Sequence, residues 1–181
     1  MPINFFENSC KKFSDLQEFG LCDKPHPIKE PAYIDENQIN MEDWIAKVEN
    51  KTRILVNFYA IDNCLEILRP NGETESSCDG MICYKKDDSN LDNIIFIELK
   101  NRISKGWVKK GTDQIKSSLK KFIENNDIGK FSLKVAYVCN KQHPSANNSS
   151  AAEVQKFKDE TALLLNSNGL NLKVDLNVII E

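Results

Sequence analysis

Ser77-Cys78-Asp79-Gly80-Met81-Ile82-Cys83-Tyr84, a charged stretch from Lys85 to Asn93, and Ile94-Ile95-Phe96-Ile97-Glu98-Leu99-Lys100 together decide how this chain folds. The second arm is a run of β-branched and aromatic residues, the composition of a buried strand. The charged stretch between the arms predicts a hairpin. Side chains alternate faces along a strand, so Glu98 and Lys100, two residues apart, share one face. Asp79 stands at the start of the partner arm. Folding the hairpin therefore brings two acids and a cation to one end of a sheet. Burying such groups is costly unless a ligand or a function offsets it, which marks the three as a candidate site.

Downstream, the chain passes Gly106-Trp107 and Gly111 to a helix capped by Thr112 or Asp113, with Ile115, Leu119, Phe122 and Ile123 as its core stripe. Gln114 begins this helix at the edge of the stripe, where it either points back toward the strand end or faces solvent. From Lys100 to Lys121 eight cations, Lys100, Arg102, Lys105, Lys109, Lys110, Lys116, Lys120 and Lys121, stand against one acid, Asp113. Such a run is either a solvated helix face or, beside paired acids, a footprint for a polyanion. Phe131 to Cys139 is an apolar strand, and Asn140 to Ser150 a polar loop, most flexible from Ser145. Ser150 with Glu153 forms a capping box for a helix running to about Asn166, which Gly169 ends. From Leu170 to Ile180 apolar and polar residues alternate, predicting one half-buried terminal strand.

Upstream, Asn4 with Glu7 makes a capping box, and Phe5, Phe6, Phe13, Leu16 and Phe19 recur at roughly helical spacing before Gly20, predicting an N-terminal helix. Pro25, Pro27 and Pro31 make Leu21 to Asn40 an irregular loop. His26 in that loop and His143 before Pro144 read as exposed loop histidines rather than catalytic ones. Trp44 to Glu49 and Arg53 to Ile61 are both strand-like, predicting an antiparallel pair that turns near Asn50-Lys51. Leu65-Glu66-Ile67-Leu68 leads to Pro70-Asn71-Gly72, a hairpin signal whose second arm continues to Asp79. The order of elements predicts an α/β fold: one domain over 1–181, a mixed β-sheet flanked by helices.

At 181 residues, 40% of them hydrophobic and 28% charged, the composition is that of an ordinary globular domain. No apolar run approaches the roughly 18 residues of a membrane span, and the N-terminus lacks a secretory pattern, so a cytoplasmic protein is expected. The six cysteines are then expected as free structural thiols, neither disulfide-bonded nor metal-bound. The net charge of −3 argues against a nucleic-acid partner for the chain as a whole, although not for the basic segment.

An Asp on one strand, a short hairpin and Glu-x-Lys on the next resembles the signature of the PD-(D/E)xK nucleases, the restriction-endonuclease-like superfamily. The matching residues are Asp79, Glu98 and Lys100, with Ile61-Asp62-Asn63-Cys64, Cys78-Asp79, Phe96-Ile97-Glu98-Leu99-Lys100 and Gln114 resembling the flanking pattern of small members. The resemblance covers Asp62 to Phe122, about a third of the chain, and departs at Cys78, where the name-giving Pro would stand. It implies an αβββαβ core and hydrolysis of phosphodiester bonds in nucleic acid, DNA before RNA, with Mg²⁺ as cofactor or Mn²⁺ in its place. Asp79 and Glu98 are the expected metal ligands, with the Leu99 carbonyl as a third. Lys100 would assist the attacking water, and Gln114 would position water or substrate. Asp62 and Glu66 compete for a further acidic role upstream, Asp62 fitting the pattern better. Arg102, Lys105, Lys109, Lys110 and Lys116 are the expected nucleic-acid contacts; a homodimer is allowed and no membrane partner is expected. Three alternatives stand beside this reading. The fold is kept as an inactive module that binds nucleic acid or a protein, the motif is a chance match on another fold, or the three charges form a buried salt-bridge network.

Overall fold

The computed structural model describes residues 2–25, 27–39, 41–86, 92–143 and 150–180. The hairpin forms as read: β6 (Gly80–Lys85) and β7 (Asp92–Lys100) pair antiparallel, from Gly80 opposite Ile97 to Lys85 opposite Asp92. On one side β5 (Val56–Ala60) extends the meander, followed by β1 (Lys11–Ser14). On the other side the chain leaves β7, runs through α1 (Trp107–Asn125) and returns as β8 (Phe131–Asn140), parallel to β7, with β9 (Asn171–Lys173) beyond it. The first sheet thus has the order β1-β5-β6-β7-β8-β9 and is mixed. A second sheet has the order β10-β4-β2-β3, from β2 (Glu18–Cys22), β3 (Tyr33–Asp35), β4 (Ala46–Glu49) and β10 (Asn177–Ile179). The other helix is α2 (Ala151–Leu165). The protein is α/β, with mixed sheets and two α-helices among the described residues.

Both faces of the first sheet are covered, which is why β7 carries no polar alternation before Glu98. Ile95, Ile97 and Leu99 pack toward the second sheet with Phe58, Ile82, Tyr137, Phe19 and Val48. Ile94 and Phe96 pack toward the helices with Met81, Val138, Ile115, Leu119 and Phe122. Each fully buried Ile or Phe contributes about 1.5–3 kcal/mol. The same alternation continues past the apolar run and puts Glu98 and Lys100 on the helix side.

Several local readings are corrected by tertiary pairing. The N-terminal helix does not form: residues 11–14 and 18–22 are β1 and β2, preceded by a short 3₁₀ turn at Asn8–Cys10. Asn4 accepts the Phe6 N–H and donates to Glu7, a local turn in place of a helix cap. The helical spacing of the phenylalanines is coincidental, since Phe5 and Phe19 lie in different cores and Phe13 is 66% exposed. β4 does not pair with β5. It joins β2 and β10 in the second sheet, and Asn50, wholly buried, holds the crossing to the first sheet through bonds to Leu16 and Ile54. The loop 21–40 contains β3. Gly72 makes its turn at φ +84°, yet the arms form one isolated bridge, Leu68 opposite Thr74, rather than a pair of strands.

Helix α1 starts nearly two turns earlier than predicted, after Gly106 at φ +78°, so Gln114 lies inside it. Helix α2 ends at Asn166, in the left-handed region; Gly169 serves packing instead, since a Cβ there would lie 1.9 Å from the Lys158 carbonyl oxygen. The terminal strand is split, β9 going to the first sheet and β10 to the second. His26, the tip of the charged stretch at 87–91 and the polar loop at 144–149 lie outside the described residues. No described helix is long and apolar enough to cross a membrane.

The expectation of six free thiols fails at two: Cys10 and Cys64 form a disulfide, while Cys22, Cys78, Cys83 and Cys139 are free and buried. The free-thiol expectation rested on a reducing compartment, where such a bond is rare. The link closes a sequence separation of 54 residues, for which chain entropy gives about 4 kcal/mol. Urea unfolding of a Cys10→Ser/Cys64→Ser variant is expected to show a loss of about 2–4 kcal/mol. Equal stability of variant and wild type would mean that the link contributes nothing.

Candidate functional site

Gly80 opposes Ile97 at the last pair of the β6–β7 ladder, which leaves Asp79 just beyond it, beside Glu98 and Leu99. Asp79 is fixed by accepting the Leu99 backbone N–H at 2.5 Å. Glu98 is 1% exposed, Asp79 and Lys100 7% each. The Lys100 ammonium donates to Glu98 Oε1 and, at 2.7 Å, to Gln114 Oε1. Gln114 in turn donates to the Ser77 carbonyl at 2.9 Å, so it points back to the strand end. Glu98 Oε2 is buried with no hydrogen-bond partner among the described residues.

Helix α1 comes close enough to make these contacts because of Gly111. A Cβ there would meet Val138 Cγ1 at 2.7 Å and Glu98 Cγ at 3.3 Å. Ser118 on the same helix accepts the Cys78 N–H at 2.9 Å, tying α1 to the arm that carries Asp79. Gly111→Ala gains up to about 1 kcal/mol of helix propensity but overpacks at a cost of about 1–3 kcal/mol. A net loss of stability is expected in chemical denaturation, recovered by adding Val138→Ala. An unchanged midpoint in Gly111→Ala would show that the helix can move away from Glu98 freely.

Of the two competing upstream acids, the structure brings Asp62 to the site and leaves Glu66 out. The backbone N–H groups of Ile61 and Asp62 donate to the carbonyls of Asp79 and Cys78, at 2.9 and 3.2 Å. Asp62 thereby lines a cleft of about 480 Å³ together with Asp79, Glu98, Lys100 and Gln114. Glu66 is exposed near Lys121 and Asn125. The cleft also contains Asp23, directly after β2, which sequence reasoning missed. Nothing in its local sequence singles it out. It reaches the site only because the second sheet packs its strand end against the first.

The residues expected to contact nucleic acid fall into two groups. Arg102 and Lys110 line the cleft. Lys105 and Lys109 line a neighbouring hollow with Trp107 and His143, whose ring stacks on Trp107 at 5.8 Å. Lys109 pairs with Asp113 at 2.6 Å, and Lys116 pairs with Asp113 and Glu160. Asp113, four residues after Lys109 and three before Lys116, pairs with both along α1, and α2 adds Glu160.

Burial, and then the Asp79 charge, push Glu98 well above the usual carboxylate range, against the opposing pull of Lys100. Burial, and then the charge of Asp23, push Asp79 up to about 7. Burial also raises Asp23 and Asp62, Asp23 further through the Asp62 charge. The site thus holds more carboxylate than its surroundings stabilise. Among the described residues no group of three or more His, Cys, Asp or Glu side chains is placed to hold a metal ion. The pair Asp79 and Glu98 nonetheless suits Mg²⁺, which needs only one or two carboxylates and keeps several waters. The unpartnered Glu98 Oε2 would supply a hard oxygen donor to such an ion. Compared with models of known protein families, with curated proteins and with solved structures, the chain gives no match.

Proposed function

We propose that this protein is a metal-dependent nuclease that hydrolyses phosphodiester bonds of nucleic acid at the Asp79, Glu98 and Lys100 cluster. The observation that carries the reading is two buried carboxylates lining one cleft, Glu98 with an unpartnered oxygen, beside a lysine and with cations among the other lining residues. The order β5, β6, β7, α1, β8 supports it, being the βββαβ part of the core that resemblance to the PD-(D/E)xK nucleases implies. The first helix of that core has no counterpart among the described residues, where β1 occupies the sheet edge instead.

A bound Mg²⁺ would supply charge neutralisation at the phosphate and an acidified water. Asp79 and Glu98 would hold it. The Leu99 N–H fixes the Asp79 carboxylate, and Gln114 fixes the Lys100 ammonium. Held in this way, Lys100 presents a proton donor to the oxygen on which negative charge develops, a pre-oriented electrostatic contribution. Arg102 and Lys110 hold the neighbouring phosphates.

One observation favours a second reading. The Lys100–Glu98 ion pair is already formed and buried, as in a structural network of an inactive module that binds nucleic acid or a protein. Purified protein incubated with labelled DNA and RNA and millimolar Mg²⁺ or Mn²⁺ separates the two. Metal-dependent cleavage that is lost on chelation and in Asp79→Asn supports the nuclease. No cleavage of any substrate with either metal sinks it.

A further inference from the structure

The reacting groups lie on the floor of a cleft. Its two walls come from different layers of the fold. Lys24, Pro25, Ile28 and Lys29, from the chain after β2 of the second sheet, form one; Arg102 and Lys110, after β7 and on α1, form the other. Each wall carries two cations, and the first also offers the exposed side chain of Ile28. Lys24 is held by Glu30 at 2.5 Å, while on α1 outside the cleft Lys109 pairs with Asp113, Lys116 with Asp113 and Glu160, and Lys121 with Glu124; the whole chain has a net charge of −3. A duplex carries its phosphates on the outside of a stiff cylinder and is held by cations spread over a broad face. A single strand bends freely, so one phosphate can descend between two walls while cations follow the backbone and apolar side chains meet the bases.

We infer that the cleft takes a single-stranded polynucleotide, gripped from both sides by Lys24 and Lys29 on one wall and Arg102 and Lys110 on the other. The inference rests on the nuclease reading for cleavage but not for binding. The second sheet is then a specificity device, since its strand end builds the wall that excludes the duplex. Four cations set the length of the grip at about four phosphates, Lys24 exchanging Glu30 for one of them.

The test is fluorescence anisotropy of the Lys100→Met protein with Mg²⁺, using labelled single-stranded DNA, single-stranded RNA of the same sequence, and the DNA duplex. A single strand is expected to bind at least about tenfold more tightly than the duplex, a difference of about 1.4 kcal/mol. The slope of log affinity against log salt is expected near −3, about −0.7 for each of four phosphates. Lys29→Glu and Arg102→Glu should each flatten it by at least about 0.7, and Lys109→Glu should not. Preference for DNA or for RNA names the sugar and supports the inference in either case. Equal or tighter duplex binding, no binding to any strand, or a slope unmoved by both wall variants overturns it. Wild-type cleavage keeps the two proposals apart. Single-strand binding without cleavage removes the nuclease and leaves this inference, whereas preferred cleavage of duplex removes this inference and leaves the nuclease.

Discussion

Lys100→Met is expected to abolish metal-dependent cleavage, lowering the rate on the order of 10²–10⁴-fold, the usual contribution of one positioned proton-transfer group. The expectation follows from geometry: the ammonium is held by Glu98 Oε1 and Gln114 Oε1 and lies within the cleft. Methionine keeps the length and the apolar stem while removing the charge. In the metal-free protein the change also strips Glu98 of its ion-pair partner, and breaking a buried pair costs about 3–5 kcal/mol when the remaining charge cannot escape. Glu98 can escape by taking up a proton, because burial and Asp79 already favour its neutral form. The stability loss is therefore expected to be smaller at pH 5 than at pH 8. Mg²⁺ is expected to raise the melting temperature of the variant at least as much as that of wild type, since a competing cation has been removed. A variant that still cleaves at near wild-type rate would take Lys100 out of the reaction. One that no longer responds to Mg²⁺ would mean that Lys100 organises the ligands.

The metal-free protein is expected to lose stability as pH rises from about 4 to about 7, the reverse of a domain held by salt-bridged carboxylates. Asp79 is raised from 3.8 to about 7 in the folded state. Between those values the folded chain keeps a proton that the unfolded chain has released, so raising the pH favours unfolding, by roughly 4 kcal/mol from this group. The contribution is fully present below the unfolded value and gone above the folded one. Glu98 shifts in the same direction and extends the effect upward. Asp79→Asn should flatten the slope of stability against pH, and Glu98→Gln should raise the metal-free melting temperature above pH 7. Mg²⁺ held by this pair would do the opposite, favouring the ionised forms. At a dissociation constant of about 1 mM, taken for scale, 10 mM Mg²⁺ would add about 1.4 kcal/mol, roughly 3–6 °C for a chain of this size. The shift should be larger at pH 8 than at pH 5 and nearly absent in Glu98→Gln. A Mg²⁺ response that is independent of pH, or as large in Glu98→Gln, would move the metal away from this pair.

Much of the site was legible because it is written in local geometry. Strand alternation alone put Glu98 and Lys100 on one face, and the hairpin put Asp79 beside Glu98. The βαβ step from β7 through α1 to β8 follows from an apolar strand, a helical stripe and another apolar strand, and it turned Gln114 back to the strand end even though the helix begins earlier than its cap residues suggested. These features depend on the period of the backbone and on neighbours close in sequence.

What only the tertiary structure decided is partner choice. Trp44 to Glu49 reads as a strand in either sheet, and whether it pairs with β5 or with β2 depends on which apolar face each strand buries. The split of the terminal strand between two sheets has the same cause: Leu172 fills the core under the helices and Val178 the core between the sheets. Asp23 entered the cleft, Glu66 left it, Lys109 and Lys116 were neutralised by Asp113 and Glu160, and Cys10 found Cys64, each through contacts between residues distant in sequence. Periodicity sets which way a side chain points, whereas the packing of layers sets what it meets.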